Sequence, residues 1–142
     1  MMDKDRLLAE QDVLSRKLPG NAYKFMDMDT SKPYIVMAAK TNKGNVYTLK
    51  IELDEFLQSI PKAFVRKMLK TKTGQDMSGT SGAMHTLQSE NGFTRICHYG
   101  YNSWTEMVSI YKIYIKCRLW LEMYELHLLT GKNMDYYLNH QQ

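Results

Sequence analysis

The stretch RICHYGYNSWTEMVSI, residues 95–110, holds one of the two cysteines of the chain, seven residues before a tryptophan. A thiol can fill space as a small hydrophobe or act as a nucleophile, and its surroundings decide which. Cys97 follows a Gly- and Ser-rich segment and is followed by the turn formers Gly100, Asn102 and Ser103, so a regular buried element is not expected there. His85 and His98 lie close in sequence, and a cysteine with a histidine is the usual pair for an activated thiol. With four histidines in 142 residues, that proximity by itself also fits a packed or incidental thiol. Cys117 is the contrast: it falls on the apolar stripe of a long helical pattern and reads as a packed hydrophobe.

Several elements must position this segment. Residues 3–18 place Leu7, Leu8, Leu14 and Leu18 on one side at near-helical spacing, with Lys4, Arg6, Arg16 and Lys17 on the polar part and Pro19-Gly20 as the stop. Three strands follow over 22–29, 33–41 and 46–54, the last with Tyr47, Leu49, Ile51 and Leu53 as its core face. Asn42-Lys43-Gly44-Asn45 between the second and third strands reads as a hairpin turn. AFVRKMLKT, 63–71, suits a fourth strand, though its lysines also fit a helix. Residues 72–94, with Gly74, Gly79, Gly82 and Gly92 among many Ser and Thr, read as a long loop leading to Cys97, and such loops are commonly functional. From Ser109, a suitable N-cap, a long helix presents Ile110, Ile113, Cys117, Trp120, Tyr124 and Leu128 on one face and ends at Gly131. The tail 133–142 is polar apart from Met134, Tyr136, Tyr137 and Leu138, which could pack back on the domain. Helix, strand meander, loop, helix is the order of a single α+β domain spanning 1–142.

Composition narrows the function classes. The chain is 44% hydrophobic and 24% charged, and no apolar run approaches the roughly 20 residues needed to span a bilayer. The charged N-terminus MMDKDRLLAEQDVLSRKL has no apolar core of a secretory signal, so a cytoplasmic protein with reduced thiols is expected. Neither a disulfide framework nor a Cys/His zinc spacing is present, and no cofactor or metal is expected. Lys62, Arg66, Lys67, Lys70 and Lys72 give a basic segment that suits a solvated face or a protein-docking surface before nucleic acid, for which no motif is present.

The order of motifs resembles bacterial ubiquitin-conjugating-enzyme-like proteins, including those of cyclase-based anti-phage (CBASS) operons. In that family a His-Pro-Asn motif precedes a Gly-x-Ile-Cys segment, and a Trp-Ser-Pro-x-Leu-Thr-Ile run leads into a helix. Here His85, Gly92 and Arg95-Ile96-Cys97 are followed by Trp104-Thr105-Glu106-Met107-Val108-Ser109-Ile110. WLEMYELHLLTGK, 120–132, is similar to the helix ending of the bacterial members. The departures are Glu106 in place of the proline, a His85-to-Cys97 spacing about two residues longer than usual, and no asparagine in His85-Thr86-Leu87.

The resemblance implies a ubiquitin-conjugating-enzyme-like fold, an antiparallel meander with an N-terminal helix and one long C-terminal helix on the sheet. It further implies that Cys97 accepts the C-terminal acyl group of a ubiquitin-like protein, or of a partner nucleotide cyclase, as a thioester and passes it to an amine. A free thiol of pKa near 8.5 is roughly 3% thiolate at pH 7, so modest local help suffices. Transfer needs oxyanion donors, for which Asn102, Asn91 and the backbone of 98–103 are the candidates. The resemblance makes His85 mainly structural, while His98 is read either as a base or as part of the groove lining. Trp104 is expected to anchor the loop by packing. An activating enzyme would dock on the N-terminal helix. A non-catalytic scaffold of the same fold and a small basic nucleic-acid binder using Tyr99 and Tyr101 are the rival readings.

Overall fold

The computed structural model describes residues 3–56, 58–98 and 104–139. Helix α1, Lys4–Lys17, starts where the Asp3 carboxylate accepts the Arg6 amide at 3.0 Å and stops before Pro19. It buries Leu14 fully, whereas Leu8, expected on the same side, is 63% exposed. A short 3-10 turn, Gly20–Ala22, then leads into the sheet.

The sheet has six antiparallel strands: β1 Tyr23–Met26, β2 Tyr34–Lys40, β3 Val46–Glu52, β4 Ala63–Val65, β5 Thr86–Glu90 and β6 Phe93–Ile96. Their spatial order is β1-β2-β3-β4-β6-β5, so the last hairpin joins the meander through its second strand. The expected turn at 42–45 is present, with Gly44 at φ 92° and the Thr41 amide bonded to the Asn45 carbonyl.

Two expectations need correction. The fourth strand keeps only Ala63–Val65 of the proposed 63–71. The proposed loop 72–94 contains β5 and the first residues of β6. The chain reverses there at Asn91-Gly92, both at positive φ (55° and 75°), as a two-residue hairpin turn between right-twisted strands requires.

Strand register sorts the side chains onto two faces. Ile35, Ile51, Ala63, Ile96 and Thr86 form one rung across five strands and are all buried. This face is covered by helix α2, Ile110–Thr130, whose Ile110, Ile113, Cys117, Trp120, Leu121 and Tyr124 are buried in the same core. Leu128, expected on that stripe, is 38% exposed. Burying one such aliphatic side chain stabilises the fold by about 1.5–3 kcal/mol. Ser109 caps α2 through the Lys112 amide, and Gly131 ends it in the left-handed conformation at φ 79°. The tail forms a short helix α3, Met134–Asn139, and returns Met134 to the core. The next rung, Val36, Lys50, Phe64, Arg95 and Leu87, faces away from α2.

Candidate functional site

Alternation along β6 places Cys97. Arg95 faces outward and Ile96 inward, and the ladder continues one residue past the strand, where the Cys97 amide bonds the His85 carbonyl at 3.0 Å. Because Ala63 pairs with Ile96, Lys62 lies across from Cys97. Cys97 is half-buried and opens on a groove of about 1080 Å³ over the outer face of the sheet. The lining includes Lys50, Lys62, Glu90, Arg95, His98 and Trp104. Cys117 is fully buried under α2, and burial pushes its thiol up to about 12. The two cysteines therefore divide as their sequence contexts suggest, one lining a groove and one packed.

His85 serves Cys97 through its backbone. Its carbonyl accepts both the Cys97 amide and, at 2.9 Å, the Trp120 indole N–H, while its Nε2 lies 2.8 Å from Asp135 Oδ1 of α3. With φ at 51°, His85 turns the chain into β5, and its ring does not line the groove. His98 does line the groove, with Nδ1 3.4 Å from the Ile96 carbonyl. Burial, helped by the charges of Arg95 and Lys116 and opposed by the Ile96 carbonyl, lowers its pKa to about 4. The imidazole is neutral at neutral pH and supplies no positive charge to a thiolate.

Asn102 and the 99–103 part of the proposed oxyanion turn lie outside the described residues. Asn91, the other side chain proposed as a donor, sits in the β5–β6 turn on the groove wall.

The segment entering α2 is fastened to α1. Arg6 donates to the Glu106 carbonyl at 2.7 Å and the Val108 carbonyl at 3.0 Å, and pairs with Glu10 at 2.8 Å. Glu10, only 4% exposed, accepts the Ile110 amide with its other oxygen at 2.7 Å. The Arg6 guanidinium also stacks 5.0 Å from the centre of the Phe56 ring, which meets Trp104 edge to face at 6.4 Å. Trp104 is thus held by packing.

Three charged groups meet in the groove: Lys62 of the basic segment, Arg95 of the motif run, and Glu90, which the sequence reading does not single out. Lys62 Nζ bonds Glu90 Oε2 at 2.8 Å, and Arg95 Nη1 lies 3.8 Å from that same oxygen. The Lys62 hydrogen bond holds the Glu90 carboxyl below its usual range, and Glu90 raises Lys62 in return. The period-2 pattern through Arg95 and Cys97 was the available signal for one face, whereas Lys62 and Glu90 join it through strand pairing, invisible to local sequence.

The remaining cations of the basic segment are divided among separate partners. Lys70 pairs with Asp76, Lys72 donates to the Leu129 carbonyl at 3.1 Å, Lys67 sits 5.2 Å over the Tyr47 ring and Arg66 5.9 Å over Phe93. Among the described residues no group of three His, Cys, Asp or Glu side chains could hold a metal, and no helix is long and apolar enough to cross a membrane.

Comparison with protein-family models, curated proteins and solved structures gives no match, so what the geometry adds to the sequence is a half-buried thiol on a charged groove in an α+β domain.

Proposed function

We propose that the chain is a ubiquitin-conjugating-like acyltransferase in which Cys97 carries, as a thioester, the C-terminal acyl group of a ubiquitin-like protein or of a partner nucleotide cyclase. The acyl group then passes to an amine, in the setting of bacterial anti-phage defence. The observation that carries the reading is the opening of the motif cysteine onto a groove of about 1080 Å³, while the other cysteine is sealed in the core. The α+β frame, with a helix before the sheet and a long helix across it, agrees with what the resemblance implies. The fastening of α1 to residues 106–110 also suits a helix at which an activating enzyme docks, since contact there bears on the segment following the thiol.

The test incubates the protein with an activating enzyme and a candidate acyl donor, a ubiquitin-like protein or a nucleotide cyclase. A conjugate on Cys97 that dithiothreitol or hydroxylamine releases supports the reading. Cys97→Ser should give a slower, longer-lived ester. A donor bound without any covalent adduct would leave a binding scaffold instead.

A further inference from the structure

Arg95 presents five N–H donors on a planar guanidinium, and its side chain is 23% exposed. Its contact with Glu90 at 3.8 Å is an ion pair beyond hydrogen-bonding distance. Its Nε is buried with no hydrogen-bond partner among the described residues. Buried donors are normally satisfied, and one left open costs about 1–3 kcal/mol, so the guanidinium's hydrogen-bonding capacity is not used up within the fold, and its exposed part faces the groove. The groove as a whole is lined by carboxylates as well as cations, Asp27, Glu52, Asp54 and Glu55 with Lys32 and Lys50, so the local cluster around Arg95 is what bears on a developing charge. Glu90 is one carboxylate between Lys62 and Arg95 and is already bonded to Lys62, so the cluster retains positive charge. Two residues along one strand separate Arg95 from Cys97, about 6.7 Å on the same face, within reach of an arginine side chain.

We propose that Arg95 is a catalytic residue of the acyl transfer, receiving the negative charge that develops on the carbonyl oxygen of the group carried by Cys97. The assignment rests on the proposed thioester chemistry and supplies the donor missing from His85-Thr86-Leu87. In the transfer, the amine lone pair attacks the thioester carbon and forms the C–N bond. The carbonyl π pair moves to oxygen, where the guanidinium of Arg95 stabilises it. Collapse restores the carbonyl and breaks the C–S bond, and the Cys97 thiolate leaves with the sulfur electron pair. The surplus amine proton ends on that thiolate or in solvent, so thioester and amine give amide and thiol. A positioned charge matters most at this stage, because the oxyanion exists only near the transition state.

The experiment needs no natural partner. Cys97 is loaded by exchange with the mercaptoethanesulfonate thioester of acetylglycine, excess reagent is removed, and discharge to free lysine is followed by intact mass. The same acyl group on the cysteine of a short unstructured peptide sets the uncatalysed rate. Arg95→Met keeps the aliphatic stem beside Phe64, and Arg95→Lys keeps the charge without the planar fork. The wild type should outpace the peptide, Arg95→Met should fall by about a hundredfold or to the peptide's rate, and Arg95→Lys should lie between. Equal rates for the wild type and a folded Arg95→Met would overturn the role of Arg95 and leave the acyl-transfer reading standing. If Arg95→Met does not fold, a wild-type rate in Arg95→Lys would overturn it. A wild type no faster than the peptide would overturn both.

Discussion

Replacing His98 with glutamine should change how stability depends on pH, by an amount fixed by the burial of the imidazole. Inside the fold its pKa is about 4 against an ordinary 6.5, with burial as the largest cause. Between those values the unfolded chain binds more protons than the native one, so acid favours unfolding. The stability of a neutral buried His98 is therefore intact above pH 6.5, declines as pH falls toward 4, and changes little further below that. At about 1.36 kcal/mol for each tenfold change in proton affinity, the full loss is about 3 kcal/mol. Glu90 and Glu125, whose carboxyls are held below their usual range, also lose stability in acid, but they do so equally in both proteins. Urea unfolding followed by tryptophan fluorescence from pH 7.5 to 4 should show the wild type losing about 3 kcal/mol more than His98→Gln. Parallel curves would refute the burial of a neutral imidazole beside Cys97.

The remaining perturbations probe the two cysteines and the ties that hold the site. Iodoacetamide should modify native protein at Cys97 alone and reach Cys117 only in denaturant, as peptide mapping would show; equal labelling would contradict the buried thiol pushed up to about 12. Arg6→Ala leaves the nearly buried Glu10 without its ionic partner and frees two carbonyls before α2, which should cost about 3 kcal/mol in urea unfolding. Glu10→Gln, which retains an acceptor for the Ile110 amide, should cost less than Arg6→Ala in the same assay. Trp120→Phe removes the indole hydrogen bond to the His85 carbonyl, which should cost at least about 1 kcal/mol and speed hydrogen exchange at the Cys97 amide.

Elements with one strong period were legible from the sequence. Tyr47, Leu49 and Ile51 alternate as the core face of β3, and Leu53, one residue past the strand, is buried with them. Ser109 and Gly131 bracket α2 because an N-cap acceptor and a left-handed residue are local requirements. The β5–β6 hairpin was concealed by composition: Thr86–Glu90 is a partly exposed edge strand with little apolar character. Its Asn-Gly turn was nevertheless a direct hairpin signal at Asn91-Gly92. In α1, Leu8 shows the limit of counting leucines, since the buried face instead includes Glu10, whose carboxylate holds the start of α2. Cys97 was found through a motif, whereas Lys62 and the Asp135 partner of His85 come from distant segments that only the folded sheet and tail bring near, and Glu90 reaches the groove across the concealed β5–β6 hairpin.

The most direct test is a tryptic map of the protein isolated from its own cells under conditions that preserve thioesters. Cleavage after Arg95 and Lys112 yields ICHYGYNSWTEMVSIYK, which contains Cys97 but not Cys117. Acyl transfer by Cys97 predicts that a fraction of this peptide carries the C-terminal residues of another protein and loses them to neutral hydroxylamine, freeing the thiol. A peptide that is wholly unmodified while the protein is bound to its conjugation partners, or an acyl group found on Cys117 instead, would contradict the account.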